Sequence, residues 1–122
     1  MLNLNSVMIG TTQPQVMTAF YEKVFGWKFH RFGDMDYWLI ITGDPAAPGI
    51  NGGIMKKRDP NQPVVNSINV PDIDIAIDSL QKSGAIIVVP KTAIPGIGYY
   101  AYFTDPDKNI FGVMMDDKTA NC

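Results

Sequence analysis

Side chains that could bind a metal ion or transfer a proton are few in this sequence of 122 residues. His30 is the only histidine, Glu22 the only glutamate and Cys122 the only cysteine. Nucleophilic catalysis by serine or cysteine usually needs a histidine beside the nucleophile. His30 shares one face of a predicted strand with Lys28, which indicates a solvent-exposed position. The sequence therefore favours neither a Ser-His-Asp arrangement nor a Cys-His pair.

The other acidic side chains are aspartates, nearly all in turn-rich stretches or around the second predicted helix. Glu22 lies on the first predicted helix, off its apolar positions, and is interpreted as solvated. Lysine and arginine number 10 against 12 acidic residues, and the one basic cluster, residues 56–58, is too short to predict a nucleic-acid partner. No apolar run approaches the ~18 residues of a membrane span. With a single cysteine and no signal-peptide pattern, we expect a cytoplasmic protein without membrane contact.

Two helices are predicted to position the rest of the chain. In the first, Pro14 suits the first turn, Val16, Phe20 and Val24 recur at four-residue spacing, and Gly26 is placed to end the helix. The second begins after residues 70–72 and ends at Gly84. Its apolar residues follow the i, i+3, i+4, i+7 pattern of an amphipathic helix, and they are Ile73, Ala76, Ile77 and Leu80.

Short runs rich in β-branched and aromatic residues surround both helices and are predicted as strands. They cover 4–9, 27–32, 37–42 and 50–55 in the first half and 64–70, 85–89, 99–103 and 110–115 in the second. Each half therefore has the order strand, helix, three strands. We predict a single domain of two modules, about 1–56 and 64–116, joined by a polar linker at about 56–63.

A constant offset of 59 residues relates the two halves. It superimposes helix on helix, and it aligns four identical pairs: Ile9 with Ile68, Lys23 with Lys82, Gly53 with Gly112, and Met55 with Met114. Each difference is 59 (for example 68 − 9 and 112 − 53). This agreement favours an internal duplication. Neither half could bury the apolar face of its sheet alone.

Several strings resemble the vicinal oxygen chelate superfamily, which includes glyoxalases, bleomycin-resistance proteins and extradiol dioxygenases. Residues 19–27 (AFYEKVFGW) resemble the end of that family's first helix, and residues 105–109 (DPDKN) resemble the turn before its last strand. Residues 50–55 and 94–99 are similar to strings of its small glyoxalase-like members. The resemblance covers roughly residues 4–115. It implies an α+β fold in which two βαβββ modules form a curved, open-sided barrel.

The turn at 105–109 departs from the family pattern at one residue. Lys108 stands where the family usually has glycine, and a left-handed conformation at a lysine costs about 1 kcal/mol. Asn109 tolerates this conformation better, so we expect Asn109 to adopt it instead.

Enzymes of this superfamily hold a divalent ion with four side chains, mostly His, Gln or Glu, from the first and last strands of each module. Carried over residue by residue, these positions fall at Ser6, Gly53, Val65 and Gly112. The repeat agrees, because 65 − 6 and 112 − 53 are both 59. Glycine and valine have no donor atom, and a neutral serine hydroxyl is a poor lone ligand. We therefore expect neither a metal nor any other cofactor, and no catalytic residue is assigned.

Strand alternation predicts which side chains line the interior of the barrel if these four positions face inward. Trp38, Tyr100 and Tyr102 are expected to form an aromatic wall at its rim, and the glycines are expected to leave free volume. A closed core packed by the methionines remains an alternative. The predicted ligand-binding residues are Ser6, Met8, Trp38, Asn51, Gly53, Met55, Val65, Ser67, Asn69, Tyr100, Tyr102, Gly112 and Met114.

Three functions stay open, and a homodimer is expected for each. The preferred one is a metal-free protein that binds a small, mostly apolar or aromatic molecule, as bleomycin-resistance members do. Their ligand is cationic and their groove acidic, so the neutral lining here argues against bleomycin itself. The second is a glyoxalase-related metal-dependent enzyme (lyase, epimerase or dioxygenase), most similar to lactoylglutathione lyase. The third is a structural or regulatory dimer module whose cleft is filled by its own side chains.

Overall fold

The computed structural model describes residues 1–57, 59 and 61–121, and in this part of the chain eight strands and two helices are present. Their order confirms the predicted α+β fold of two βαβββ modules. The first module contains β1 (Leu4–Thr11), α1 (Pro14–Phe25), β2 (Lys28–Arg31), β3 (Tyr37–Ile41) and β4 (Asn51–Lys56). The second contains β5 (Val65–Asn69), α2 (Ile73–Lys82), β6 (Ile86–Ile94), β7 (Gly98–Thr104) and β8 (Ile110–Asp116).

The chain forms two compact units that follow these modules. One is Asn5–Val65, and the other joins Met1–Leu4 to the chain from Asn66 onward. Parts of the predicted linker and basic cluster (residues 58 and 60) and Cys122 lie outside the described residues. That the two modules make one domain stays a prediction. No helix in the described ranges is long and apolar enough to cross a membrane.

Each module places its first strand parallel to its last. In the first module the order is β2-β3-β4-β1, with β1 parallel to β4 and the other neighbours antiparallel. In the second it is β6-β7-β8-β5, with β5 parallel to β8. The register repeats at the predicted offset, because the pair Met8 with Gly53 corresponds to the pair Ser67 with Gly112 (67 − 8 and 112 − 53 are both 59).

Helix α2 packs on its sheet as its sequence pattern predicts. Asp72 is the N-cap residue before Ile73, and its side chain accepts hydrogen bonds from the backbone N–H groups of Asp74 at 3.0 Å and Ile75 at 3.1 Å. This satisfies two of the helix's unpaired donors. Ile73 is fully buried. The core beneath α2 contains Val70, Ile73, Ala101, Phe103 and Val113, with Ala76, Ile77 and Leu80 packed against it.

Helix α1 packs differently from what its apolar spacing suggests. It begins at Pro14, and Gly26 ends it in a left-handed conformation (φ 73°), as predicted. Its four-residue spacing does not mark a buried face, because Val16, Phe20 and Val24 are 59%, 53% and 53% exposed. Met17 instead contacts the core of Ile9, Ile40 and Ile54.

The turn before β8 is built around Asp105. Its carboxylate accepts hydrogen bonds from the side chain of Asn109 at 3.0 Å and from the backbone N–H groups of Asn109 and Asp107, both at 2.9 Å. These hydrogen bonds lower the pKa of the Asp105 carboxyl group. The side-chain bond from Asn109 has the largest effect, and the backbone bond from Asn109 has the next largest. The left-handed residue is Lys108 (φ 66°), not Asn109, so the expectation for Asn109 is wrong. Because the Asn109 side chain is needed as a donor to Asp105, the strained position falls on Lys108.

We predict that Lys108→Gly raises the free energy of unfolding by about 1 kcal/mol, because glycine adopts a left-handed conformation without steric cost. The control Asn109→Gly removes a hydrogen-bond donor to Asp105 and is expected to lower it. Urea denaturation of both variants measures the two changes. A loss of stability in Lys108→Gly would contradict the assignment of strain to Lys108.

The lowered pKa of Asp105 also predicts a pH dependence. A carboxylate whose pKa is lower in the folded than in the unfolded protein stabilises the fold above its unfolded pKa, and this stabilisation is lost as pH falls through the folded value. Asp105→Asn should therefore be less stable than wild type near neutral pH, and the difference should shrink as pH falls below about 4. Urea denaturation across this pH range tests it, and a difference independent of pH would count against it.

Candidate functional site

The sheet of the first module has one face toward α1 and one away from it. Strand alternation and the β1–β4 register bring five of the predicted residues to the face away from α1. Met8 and Gly53 are buried there, whereas Ser6 and Met55 are half-buried and Asn51 is exposed. The Asn51 carboxamide oxygen accepts a hydrogen bond from the Thr42 N–H at 3.0 Å, so Asn51 holds a loop.

The aromatic residue on this face is Tyr37 and not Trp38. Trp38 packs on the α1 side against the core of Ile9, Ile40 and Ile54, with the Arg31 guanidinium 5.0 Å from its ring. The choice of Trp38 for the inward aromatic wall is therefore corrected. Tyr37 is buried, and its ring and hydroxyl occupy the space into which a side chain at Gly53 would project.

In the second module the predicted residues meet on the face away from α2. Tyr102 and Ser67 flank Gly112 on neighbouring strands, and Tyr100 and Asn69 flank Met114 in the same way. The Tyr100 and Tyr102 ring centroids are 5.1 Å apart. All of these residues are buried except Asn69, which is half-buried; Val65, at the start of β5, is also fully buried.

Gly112 lies in a tightly packed position between Ser67 and Tyr102. A Cβ atom added at residue 112 would lie 2.7 Å from Ser67 Oγ and 3.1 Å from Tyr102 Cδ1. Real Cβ atoms do not approach other atoms that closely, so only glycine fits without a shift. The Ser67 hydroxyl is fully buried and has no hydrogen-bond partner among the residues that the structure describes.

Comparison with known proteins identifies the family. The model of the Glyoxalase/Bleomycin resistance protein/Dioxygenase superfamily matches residues 3–113. The chain belongs to this superfamily. No curated protein sequence matches it.

Solved structures share the fold at low sequence identity. A superfamily member from Vibrio splendidus 12B01 is 16% identical, with a TM-score of 0.60 over 96% of this chain and 100% of its own. An NAD-dependent benzaldehyde dehydrogenase from Legionella pneumophila is 15% identical, with a TM-score of 0.68 over 93% and 99%. Methylmalonyl-CoA epimerase from Mycobacterium tuberculosis is 11% identical, with a TM-score of 0.60 over 95% and 87%. Such identities establish the fold and nothing about activity.

The residues at the superfamily's metal positions do not fit a divalent ion. Gly53 and Gly112 offer no donor, and Tyr37 and Tyr102 fill the space in front of them. The expectation that these glycines leave free volume is therefore wrong. Within residues 1–57, 59 and 61–121, no three His, Cys, Asp or Glu side chains come together as a metal site. His30 and Glu22 are exposed on β2 and α1.

A cavity of about 390 Å³, partly open to solvent, lies beside α2 in the second module. The backbone N–H of Asn69 donates to the carbonyl of Asn3 at 2.9 Å, which keeps the N-terminal residues beside β5. None of the predicted site residues lines the cavity. Its lining residues are Leu2, Ile68, Val70, Pro71, Asp72, Ile75, Ala76, Ser79, Leu80, Phe103 and Val113. The sequence gives no signal for it, because these residues carry the ordinary pattern of a packed helix and strand.

We predict that Gly112→Ala lowers the free energy of unfolding by about 1–3 kcal/mol through overpacking against Ser67 and Tyr102. Ser67→Ala alone should change stability little or raise it, because it removes a buried hydroxyl without a partner. The double variant should recover part of the loss. Urea denaturation of the two single variants and the double variant measures these changes. Gly43→Ala is the control, since a Cβ atom at residue 43 would have no other atom within 4 Å. Strictly additive effects would refute the packing described at Gly112.

Proposed function

We propose that this chain binds a small, mostly apolar or aromatic molecule, and that it does so without a metal at the four superfamily positions. The observation that carries this proposal is the cavity of about 390 Å³ beside α2. Ligand pockets typically have about 300–1,000 Å³ and apolar walls with few polar groups. The cavity has this size and this chemistry.

The polar groups of the cavity favour a neutral ligand. Asp72 is its one charged lining residue, and Oδ1 of Asp72 already accepts two backbone hydrogen bonds at the start of α2. Ser79 is the other polar side chain in the lining. Recognition therefore rests on shape and apolar burial against residues such as Phe103 and Leu80. Burial of about 200 Å² of apolar ligand surface would contribute roughly 5 kcal/mol before the costs of association.

The face predicted from the sequence is a less favourable location. Ser67, Tyr100 and Tyr102 are almost inaccessible to solvent, so a ligand would have to displace a ring to reach them. Their burial favours a second candidate function, that of a structural or regulatory module whose interior is filled by its own side chains. The two functions differ in one measurable respect, since only the first predicts a response to ligand.

A metal-dependent lyase, epimerase or dioxygenase is the least supported function. The solved relatives include an epimerase, but its activity belongs to that protein. In this chain, restoring a donor side chain at residue 53 or 112 would bring it into collision with Tyr37 or Tyr102. The donor set thus argues against a divalent ion held at these positions.

A thermal-shift screen tests the proposal, with neutral aromatic and aliphatic compounds in one arm and Ni²⁺, Zn²⁺, Mn²⁺ and Fe²⁺ in the other. A compound at 100 times its dissociation constant should stabilise the fold by about 2.7 kcal/mol, a shift of several degrees. Ala76→Phe fills the cavity and should abolish the shift. Gln81→Phe, on the same helix but outside the cavity, should keep it.

Three other outcomes would change the conclusion. A shift lost in Tyr102→Leu but kept in Ala76→Phe would move the ligand to the opposite face of the sheet. A specific shift with one metal would overturn the metal-free proposal. If no compound and no metal in the screen shifts the unfolding midpoint, the structural or regulatory module with a filled interior would remain as the function.

A further inference from the structure

The cavity beside α2 follows one side of the helix. The helix and its N-cap contribute five lining residues at positions i, i+3, i+4, i+7 and i+8, and they are Asp72, Ile75, Ala76, Ser79 and Leu80. This spacing places them on the same side of a helix. From residue 72 to residue 80 the helix rises about 12 Å, at about 1.5 Å per residue. The cavity is therefore elongated along α2.

The apolar walls of the cavity are mostly aliphatic. On the sheet side they include Ile68, Phe103 and Val113, from the neighbouring strands β5, β7 and β8. Of the described residues that line the cavity, only Phe103 is aromatic. An aromatic ligand gains most when its ring meets other rings, and this lining offers one. The walls therefore favour an aliphatic ligand.

Asp72 places a hydrogen-bond acceptor at one end of the cavity. Its Oδ1 atom accepts the two backbone bonds from Asp74 and Ile75, whereas no described residue donates a hydrogen bond to its Oδ2 atom. An ionised carboxylate accepts hydrogen bonds and donates none. This end of the cavity therefore favours a ligand group that carries a hydrogen-bond donor, and it repels an anionic group.

We propose that the cavity binds an aliphatic alcohol, whose chain lies along α2 and whose hydroxyl group donates a hydrogen bond to Oδ2 of Asp72. This inference rests on the proposed function and adds the chemical class and the orientation of the ligand. An extended chain of about eight carbons, with bonds of about 1.5 Å, has roughly the length of the cavity along α2. Ser79, the other polar lining residue, lies about two turns further along the helix, too far to bind the same hydroxyl group.

Exposed apolar side chains in the lining add to the attraction of an aliphatic chain. Ile75 is 68% exposed and Leu2 is 56% exposed, and both line the cavity. A bound chain would remove part of this apolar surface from water, which is favourable in proportion to the area covered. A fully polar ligand of the same size would gain nothing from these two side chains.

Three probes test the ligand class: octanol, octanoate with an anionic head group, and naphthylethanol with an aromatic body. Titrations followed by the amide NMR signals of Asp74 and Ile75 give the dissociation constants and report binding near Asp72. Wild type should bind octanol about tenfold more tightly than octanoate, because only octanol donates to the carboxylate. It should also prefer octanol to naphthylethanol. Equal binding of octanol and octanoate, or tighter binding of naphthylethanol, would overturn the proposal and leave the cavity as a site for apolar molecules. If none of the three binds, the proposal is wrong, and the thermal-shift screen with Ala76→Phe decides the proposed function separately.

Asp72→Asn tests the role of the carboxylate without removing the helix cap. Asparagine caps a helix about as well as aspartate, so Oδ1 keeps its two backbone bonds while an NH₂ group replaces Oδ2. The preference for octanol over octanoate should fall from about tenfold to less than about threefold. The matched control is Asp78→Asn, because Asp78 is an exposed aspartate of the same helix that pairs with Lys82 and does not line the cavity. This control should keep the preference. An unchanged preference in Asp72→Asn, with the wild-type unfolding midpoint, would refute the hydrogen bond to Asp72.

Discussion

The parallel pairing of first and last strands within each module fixes where every other side chain lies. Once Met8 is paired with Gly53 and Ser67 with Gly112, alternation decides which residues pack under the helices and which lie on the opposite face. A shift by one residue would exchange the two sets. The isoleucines and valines under the helices hold the register, because Ile9, Ile54 and Val113 would otherwise leave their cores.

The same register explains why only glycines fit at residues 53 and 112, the two positions that the resemblance to the superfamily assigns to metal ligands and that carry no side chain. Tyr102 lies directly across from Gly112, and Tyr37 reaches over Gly53 from β3. A ring of this size fills the volume that a ligating imidazole or carboxamide would need. Gly53 with Tyr37 and Gly112 with Tyr102 are thus two instances of one packing arrangement. The side chains in this arrangement fit closely, but the buried Ser67 hydroxyl has no hydrogen-bond partner among the described residues.

Much of the fold follows from local sequence patterns. The ends of α1 at Pro14 and Gly26 and the buried positions of α2 are predictable, since each rests on capping or periodicity. Which of Tyr37 and Trp38 lies on the face away from α1 is not predictable in this way. The answer depends on the exact start of β3, and both rings suit a strand. The left-handed residue at the turn is likewise decided by which side chain bonds Asp105, and a sequence pattern does not show this competition. The exposure of Val16 and Phe20 depends on tertiary packing, which their spacing leaves undetermined.

The cavity beside α2 and the exposed apolar face of α1 could not be predicted from the sequence, for a shared reason. In both places apolar side chains have the spacing of a helix, but other residues do not fully cover them. The sequence shows the spacing and does not show whether the side chains are covered. Beside α2 the apolar walls of the cavity, which include Ala76, leave about 390 Å³ without protein atoms, the size of a small molecule. On α1 the apolar side chains of Val16, Phe20 and Val24 face solvent. Both features arise from incomplete burial of the apolar side chains of a helix, which only the three-dimensional structure shows.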